Sequence, residues 1–464
     1  MAMPRFALLA VLLTALATAA AASQQGSSAS TSVAFVGVTV IPMDVVRVLS
    51  DQTVVIRDGR ITTLGPAATI AVPPDARRVD AAGKYLIPGL AEMHAHIPSP
   101  DSAGRMDYAE EVLFLYVAHG VTTIRGMLGH PGHLDLRRRV DGGSVLGPRI
   151  WTAGPSANQT TARTATAGDS IARVNKATGY DFIKIHPGVT RAAFDALDAT
   201  ADQSGISFSG HVPQDVGLTR ALEARYASID HLDGYMDVLL KDGAQVDRSA
   251  GGWFGANWAM SADDGKISGI ARATRDAGVW NVPTQILMES YASDETVDAM
   301  AARAELRYMP PRTRANWRNW KEQAIRQGPP PETMRRFVEV RRTLIKALHD
   351  AGAGLLLGSD APQVWNVPGF SVHRELEAIV RSGLTPYQAL ETGTRNVARF
   401  FGVEDRAGTI AVGKQADLLL LEASPLTDIR NTQRQAGVVV RGRWLPREEL
   451  DGRLERIAER YRSP

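Results

Sequence analysis

Glu92-Met93-His94-Ala95-His96 follows Ile87-Pro88-Gly89-Leu90. On a strand, side chains alternate, so His94 and His96 at i and i+2 point to one face. Two adjacent imidazoles are half of a transition-metal site. Pro88 and Gly89 punctuate the entry, and apolar Leu90, Ala91 and Met93 favour a buried strand end over a polar loop. Later segments offer a second half. Phe182-Ile183-Lys184-Ile185-His186 carries a lysine inside an apolar run, while Phe208-Ser209-Gly210-His211 and Ser228-Ile229-Asp230-His231 each end in histidine. Leu355-Leu356-Leu357-Gly358-Ser359-Asp360 ends in a carboxylate. Taken singly, each such residue reads as a core histidine or a helix-capping aspartate. Lys184, His211, His231 and Asp360 near strand ends, all following His94 and His96, instead point to a metal centre.

Such groups need a frame that gathers strand ends. Candidate strands run Leu90–His96, Val121–Arg125, Arg149–Ala153, Phe182–His186, Ile206–His211, Ala227–His231, Trp280–Ile286 and Leu355–Asp360, alternating with helical stretches. That pattern predicts an α/β fold, a (β/α)8 TIM-like barrel with helical inserts at Glu305–Arg326 and Glu332–Ala351. An open doubly wound sheet is the rival, but no Gly-rich nucleotide fingerprint supports it. Both chain ends read as short strands. Asp58-Gly59 joins Gln52–Arg57 to Arg60–Leu64 as a hairpin, and Val438–Arg441 meets Gly442–Leu445 as another. These ends predict a small β-sandwich built from the N- and C-terminal segments. The expected division is a signal peptide at 1–22, a flexible linker at 23–32, the N-terminal half of the sandwich at 33–85 and the barrel at 86–405. The C-terminal half of the sandwich at 406–446 and a final helix at 447–464 complete it.

With 52 basic and 50 acidic residues, the formal charge is only +2, which gives no case for nucleic-acid binding. Absence of cysteine removes thiolate ligands, a Cys nucleophile and disulfides. Arg5, the apolar run Phe6–Ala17 and Ala20-Ala21-Ala22 have the form of a cleavable export signal. The run is shorter than the roughly 20 residues that span a bilayer. The expectation is therefore a periplasmic or secreted protein without a stable membrane anchor once the signal is removed.

The chain resembles the metal-dependent amidohydrolase superfamily, in its imidazolonepropionase-like and prolidase-like branch, over roughly residues 33–445. The resemblance is carried by Tyr85-Leu86-Ile87-Pro88-Gly89-Leu90 with His94 and His96, Asp181-Phe182-Ile183-Lys184, and His211, His231 and Asp360. Gly383-Leu384-Thr385-Pro386 through Ala389-Leu390, and Gly413-Lys414-Gln415-Ala416-Asp417, match its C-terminal signatures. It implies two divalent metal ions, with His94, His96 and Asp360 on one, His211 and His231 on the other, and Lys184 bridging as a carbamate. Zinc suits that ligand set, and manganese, cobalt or iron also fit. A buried lysine has a depressed pKa, consistent with the carbamate and with a rival Schiff-base role. The implied reaction is attack by a metal-bridged hydroxide on an amide-like, non-ordinary-peptide carbon–nitrogen bond, Asp360 serving as general base and then acid.

The expected partner is a small-molecule substrate, and homo-oligomer formation stays open. His186, sharing a strand face with Lys184, and His373, at a recurrent family position, are candidate substrate contacts. Arg125 is a candidate for a substrate carboxylate, with a structural ion pair as its alternative. Trp253, Trp258, Trp317, Trp320 and Trp365 read as packing groups, one or two of them at the pocket mouth. Two positions depart from the family pattern. Glu92 replaces a more usual aspartate, and Pro213 stands where the dipeptide-cleaving branch tends to carry an aromatic. Dipeptides, N-acyl amino acids, cyclic amides, lactones and esters remain alternative substrates. A mononuclear deaminase and a non-catalytic binding protein are the further alternatives.

Overall fold

Asp58 and Gly59 have φ of 49° and 75°, and Arg441 and Gly442 have φ of 50° and 82°. Two successive left-handed residues make the tight turn that a two-residue hairpin requires. In the computed structural model, which describes residues 32–462, both expected hairpins form around them, with Arg57 paired to Arg60 and Val440 to Arg443. The signal-peptide expectation, and all of the linker except Ser32, lie outside the described residues.

The N-terminal strands are β1 (Val33–Val40), β2 (Leu49–Arg57), β3 (Arg60–Pro66), β4 (Arg77–Asp80) and β5 (Tyr85–Pro88). The central strands are β6 (Leu90–Ala95), β7 (Val121–Gly126), β8 (Arg149–Thr152), β9 (Phe182–Ile185), β10 (Ser207–Gly210), β11 (Ser228–Asp230) and β12 (Trp280–Val282). The last are β13 (Leu418–Leu421), β14 (Gln435–Val440) and β15 (Arg443–Pro446), followed by the helix Arg447–Arg460.

The terminal strands form one eight-stranded sheet in the order β15-β14-β13-β5-β1-β2-β3, with β4 also on β1. This single hydrogen-bonded path folds back on itself, because Phe35 on β1 packs against Trp444 on β15 with ring centroids 5.0 Å apart. β5 bonds both β1 and β13, so the two chain ends join edge to edge. One face covers a core of Phe35, Val54, Ile56, Leu418, Leu420 and Trp444. The central strands pair in parallel as β6-β7-β8 and β9-β10-β11-β12. Isolated parallel bridges link the two groups: Ala153 with Phe182, Asn281 with Leu355, and Ala95 with Ala361. This α/β arrangement is consistent with a barrel.

Two strand expectations change. The run Trp280–Ile286 stops at Val282, because Pro283 and left-handed Thr284 (φ 48°) break it and the helix Gln285–Ala292 begins. Leu355–Asp360 forms no regular strand, though Met93 N–H donates to Leu357 O and His96 N–H to Ala361 O. Gly358 allows that close approach, since a Cβ there would lie 2.9 Å from His94 N and 2.4 Å from Val282 Cγ1. The helical inserts begin at prolines, Pro311–Gln327 and Pro331–Ala351, as proline at the first helical position favours.

Buried Glu375 on the helix Phe370–Arg381 accepts Gln285 N–H at 2.9 Å and Ile286 N–H at 2.6 Å. It thereby satisfies two donors at the start of a helix that has no capping side chain of its own. Burial pushes its carboxyl up to about 7. Glu375→Ala is expected to cost about 2 kcal/mol by orphaning those donors. The shift in urea midpoint at constant slope measures it.

Candidate metal centre

His94 lies on β6, His231 directly follows β11 and Asp360 ends the Leu355–Asp360 segment, and each offers a ligand atom within 4.8 Å of the others. His94 Nε2 lies 3.7 Å from Asp360 Oδ1, and His96 Nε2 lies 2.7 Å from the same oxygen. Lys184 Nζ is 3.5 Å from His94 Nε2. The His231 ring is 4.5 Å from His94 and 4.7 Å from His211, which stacks on His186 at 5.3 Å. The six residues expected to hold metal, together with His186, therefore occupy one cluster. Asp360 Oδ1, facing His94 Nε2 and His96 Nε2, is buried and makes no well-aligned hydrogen bond, while His94 Nδ1 and Asp230 Oδ2 face each other. Buried polar atoms are seldom left unpaired. Such atoms converging among nitrogen and oxygen donors fit a divalent ion.

Electrostatics suit that use. Burial, then the Lys184 charge, holds His94 well below the usual imidazole range, and burial does the same to His231. Both are therefore neutral, the form that binds metal. Burial also lowers the Lys184 ammonium, against the raising effect of Asp230. At Asp360 burial alone would raise the pKa, but His94, His96 and Lys184 outweigh it, so the carboxylate stays ionised. His186 is pushed down to about 3 by burial and then by Lys184.

A surrounding layer fixes these groups. Asp233 accepts from Val212 N–H and lies 3.1 Å from His211 Nδ1, while Thr284 Oγ1 lies 2.9 Å from His231 Nδ1. Each histidine is thus oriented by one ring nitrogen, leaving the other for a ligand role. Buried Glu92 accepts from His94 N–H, Ser359 N–H and the Ser359 hydroxyl, tying β6 to the segment carrying Asp360. Arg341 donates to the carbonyls of His231 and Pro283 and to Gln285 Oε1. These anchors hold unusual backbone: His231, Thr284 and Asp360 have φ of 62°, 48° and 65°. Non-glycine residues there carry roughly 1–3 kcal/mol of strain each, and such strain gathers at functional sites. Gly210 serves close approach, because a Cβ would meet Ile185 O at 2.3 Å and Lys184 Cδ at 2.9 Å.

Two expected substrate contacts are corrected. Arg125 is 1% exposed, donating to Met93 O at 2.8 Å, Ser228 Oγ at 2.9 Å and Asp230 Oδ1 at 3.1 Å. It is a buried ion pair, closed off from solvent and directed at Asp230 rather than at a substrate carboxylate. His373 is also buried, with Nδ1 2.9 Å from Thr432 Oγ1 and Nε2 3.0 Å from His119 O. Both its ring nitrogens are occupied away from the cluster.

Asp230 is the residue the sequence reading passed over. Its Oδ2 lies 3.2 Å from His94 Nδ1 and 3.5 Å from Lys184 Nζ. Burial would raise its pKa, but Arg125 and Lys184 overcome that and keep it ionised. It positions a histidine and the lysine together, and its signal was an acidic residue directly before a candidate ligand.

An adenine deaminase of Moorella thermoacetica is 24% identical over 376 residues, covering 80% of this chain and 51% of that protein. The chain thus spans about half the length of that relative. An imidazolonepropionase of Mycolicibacterium smegmatis is 50% identical over 50 residues, 11% of this chain and 12% of that one. Among solved structures, a putative prolidase from Bifidobacterium longum superposes with a TM-score of 0.66 at 23% identity, over 92% of this chain and 99% of that one. This last likeness is one of fold. The Amidohydrolase family model matches residues 85–445, which include every residue of the cluster. The chain belongs to the amidohydrolase family.

Proposed function

We propose that this chain is an exported hydrolase using two divalent metal ions, at the strand ends of a (β/α)8 barrel, to split an amide-like carbon–nitrogen bond. The observation that carries this reading is the convergence of buried donor atoms from His94, His231 and Asp360 within 4.8 Å. His96, Lys184 and His211 adjoin them. His94, His96 and Asp360 would hold one ion, His211 and His231 the other, with Lys184 as a carbamate shared between them. The parallel pairings and the bridges between strand groups support the barrel.

Bound ions, zinc first by ligand chemistry, supply Lewis acidity toward a carbonyl and acidify water. The protein's own part falls to Asp360. Its ionised carboxylate accepts a proton from the attacking water, whose oxygen bonds to the carbonyl carbon. It then returns the proton to the leaving nitrogen as the C–N bond breaks, giving an acid and an amine. Asp230, Asp233 and Thr284 hold the imidazoles in orientation. Export rests on residues 1–22.

Metal analysis of protein grown with zinc is expected to give about two ions per chain, falling after Lys184→Ala. One ion, unchanged in that variant, overturns the two-ion reading. A hydrolysis screen over N-acyl amino acids, dipeptides, cyclic amides, lactones and aryl esters tests the reaction. The adenine deaminase relatives favour a second reading, deamination, for which ammonia release from adenine is the arm of the screen.

A further inference from the structure

Neighbouring aromatic residues after β11 lie beside the cluster and at the surface. Phe254 lies over two of the candidate ligands, 4.9 Å from the His231 ring and 5.8 Å from His211. Its neighbour Trp253 packs against Tyr291 at 4.7 Å and Trp320 at 4.5 Å, and those two rings are 4.4 Å apart. The three rings arrive from the segment after β11, the helix after β12 and the insert Pro311–Gln327. Trp253 remains 47% exposed. Its exposed ring is continuous with those of Tyr291 and Trp320, so the three make one aromatic patch. The inner end is close to the chemistry: burial first, and the Asp360 charge second, push the Tyr291 hydroxyl well above its ordinary value.

The wall is rigidly built. Gly252 and Gly255 (φ 67° and 79°) flank left-handed Phe254 (φ 51°), turning the loop so that successive rings reach different neighbours. A Cβ on Gly255 would lie 2.5 Å from Met236 Cβ. Lys321, 1% exposed, donates to the carbonyls of Ser290, Tyr291 and Ser293. It locks the end of the helix bearing Tyr291 to the helix bearing Trp320. Arg125, the cation expected for a substrate carboxylate, is neutralised by Asp230. Flat apolar faces are what this side of the site offers.

We propose that Trp253, Tyr291 and Trp320 form a substrate subsite that takes an aromatic or similarly flat apolar group flanking the scissile bond. This rests on the hydrolase reading above and names its substrate class. Stacking on such rings is expected to favour a naphthoyl over an acetyl amide of the same amine by about tenfold in kcat/KM. Trp253→Ala should narrow that ratio through KM, and Trp253→Phe should keep most of it. Calorimetric titration of the metal-loaded protein with 2-naphthamide and with acetamide gives a readout independent of turnover. It also decides the matter should Trp253→Ala fail to fold. Binding of naphthamide but not acetamide, without hydrolysis of any amide, supports the subsite and overturns the hydrolase reading. Hydrolysis with equal kcat/KM for the two amides, and no naphthamide binding, overturns the subsite and leaves the hydrolase standing.

Discussion

Asp360→Asn is expected to lower kcat by about 10²- to 10⁴-fold, the range for losing a general acid–base. The replacement is close to isosteric and suits the backbone, because asparagine tolerates the left-handed conformation that Asp360 adopts at φ 65°. The change therefore removes the proton acceptor without forcing the chain to move. It also removes a negative ligand, so kcat should be measured across a zinc titration with circular dichroism as a folding control. Activity that returns to the wild-type level at high zinc would assign Asp360 to metal binding alone. Activity that stays low at full occupancy is the outcome expected of a proton carrier.

Arg125→Met is expected to destabilise the protein by about 3–5 kcal/mol, the loss seen when one member of a buried ion pair is removed. Both side chains are almost wholly buried, Arg125 at 1% and Asp230 at 0% exposure. Without the guanidinium, Asp230 would keep its charge in a poorly solvating interior, with neutral His94 beside it and only Lys184 to balance it. The double variant Arg125→Met/Asp230→Asn should recover some of the loss, since no lone charge remains. Urea unfolding of the four-protein cycle measures the coupling. Additive losses would show that the two groups do not act as a pair.

Those two residues also mark how far the site could be read from sequence. Strand ends carrying His94, His211 and His231 were legible because apolar runs stop near them, Lys184 because it interrupts such a run, and the hairpins because Gly59 and Gly442 take left-handed turns. Asp230 was hidden by the alternation rule, which sends consecutive strand residues to opposite faces. β11 ends at Asp230, and His231 turns left-handed at φ 62°, so both side chains reach His94. Arg125 and His373 sat at plausible positions, but their roles depend on partners distant in sequence. Arg125 meets Asp230 and Ser228, and His373 meets His119 and Thr432. No local pattern encodes those meetings.

The shared edge has a consequence for how the protein is made. β5 finds its antiparallel partner in β13, and Gly89 N–H donates to Asp417 O just before β6 brings in His94 and His96. A ribosome working from the N-terminus releases β5 long before Leu418 exists. A nascent chain halted short of Leu418 would hold all six candidate ligands and still lack the antiparallel partner of β5, the strand directly before β6. The sheet beside the site is thus completed only by the C-terminal segment, wherever the chain comes to fold.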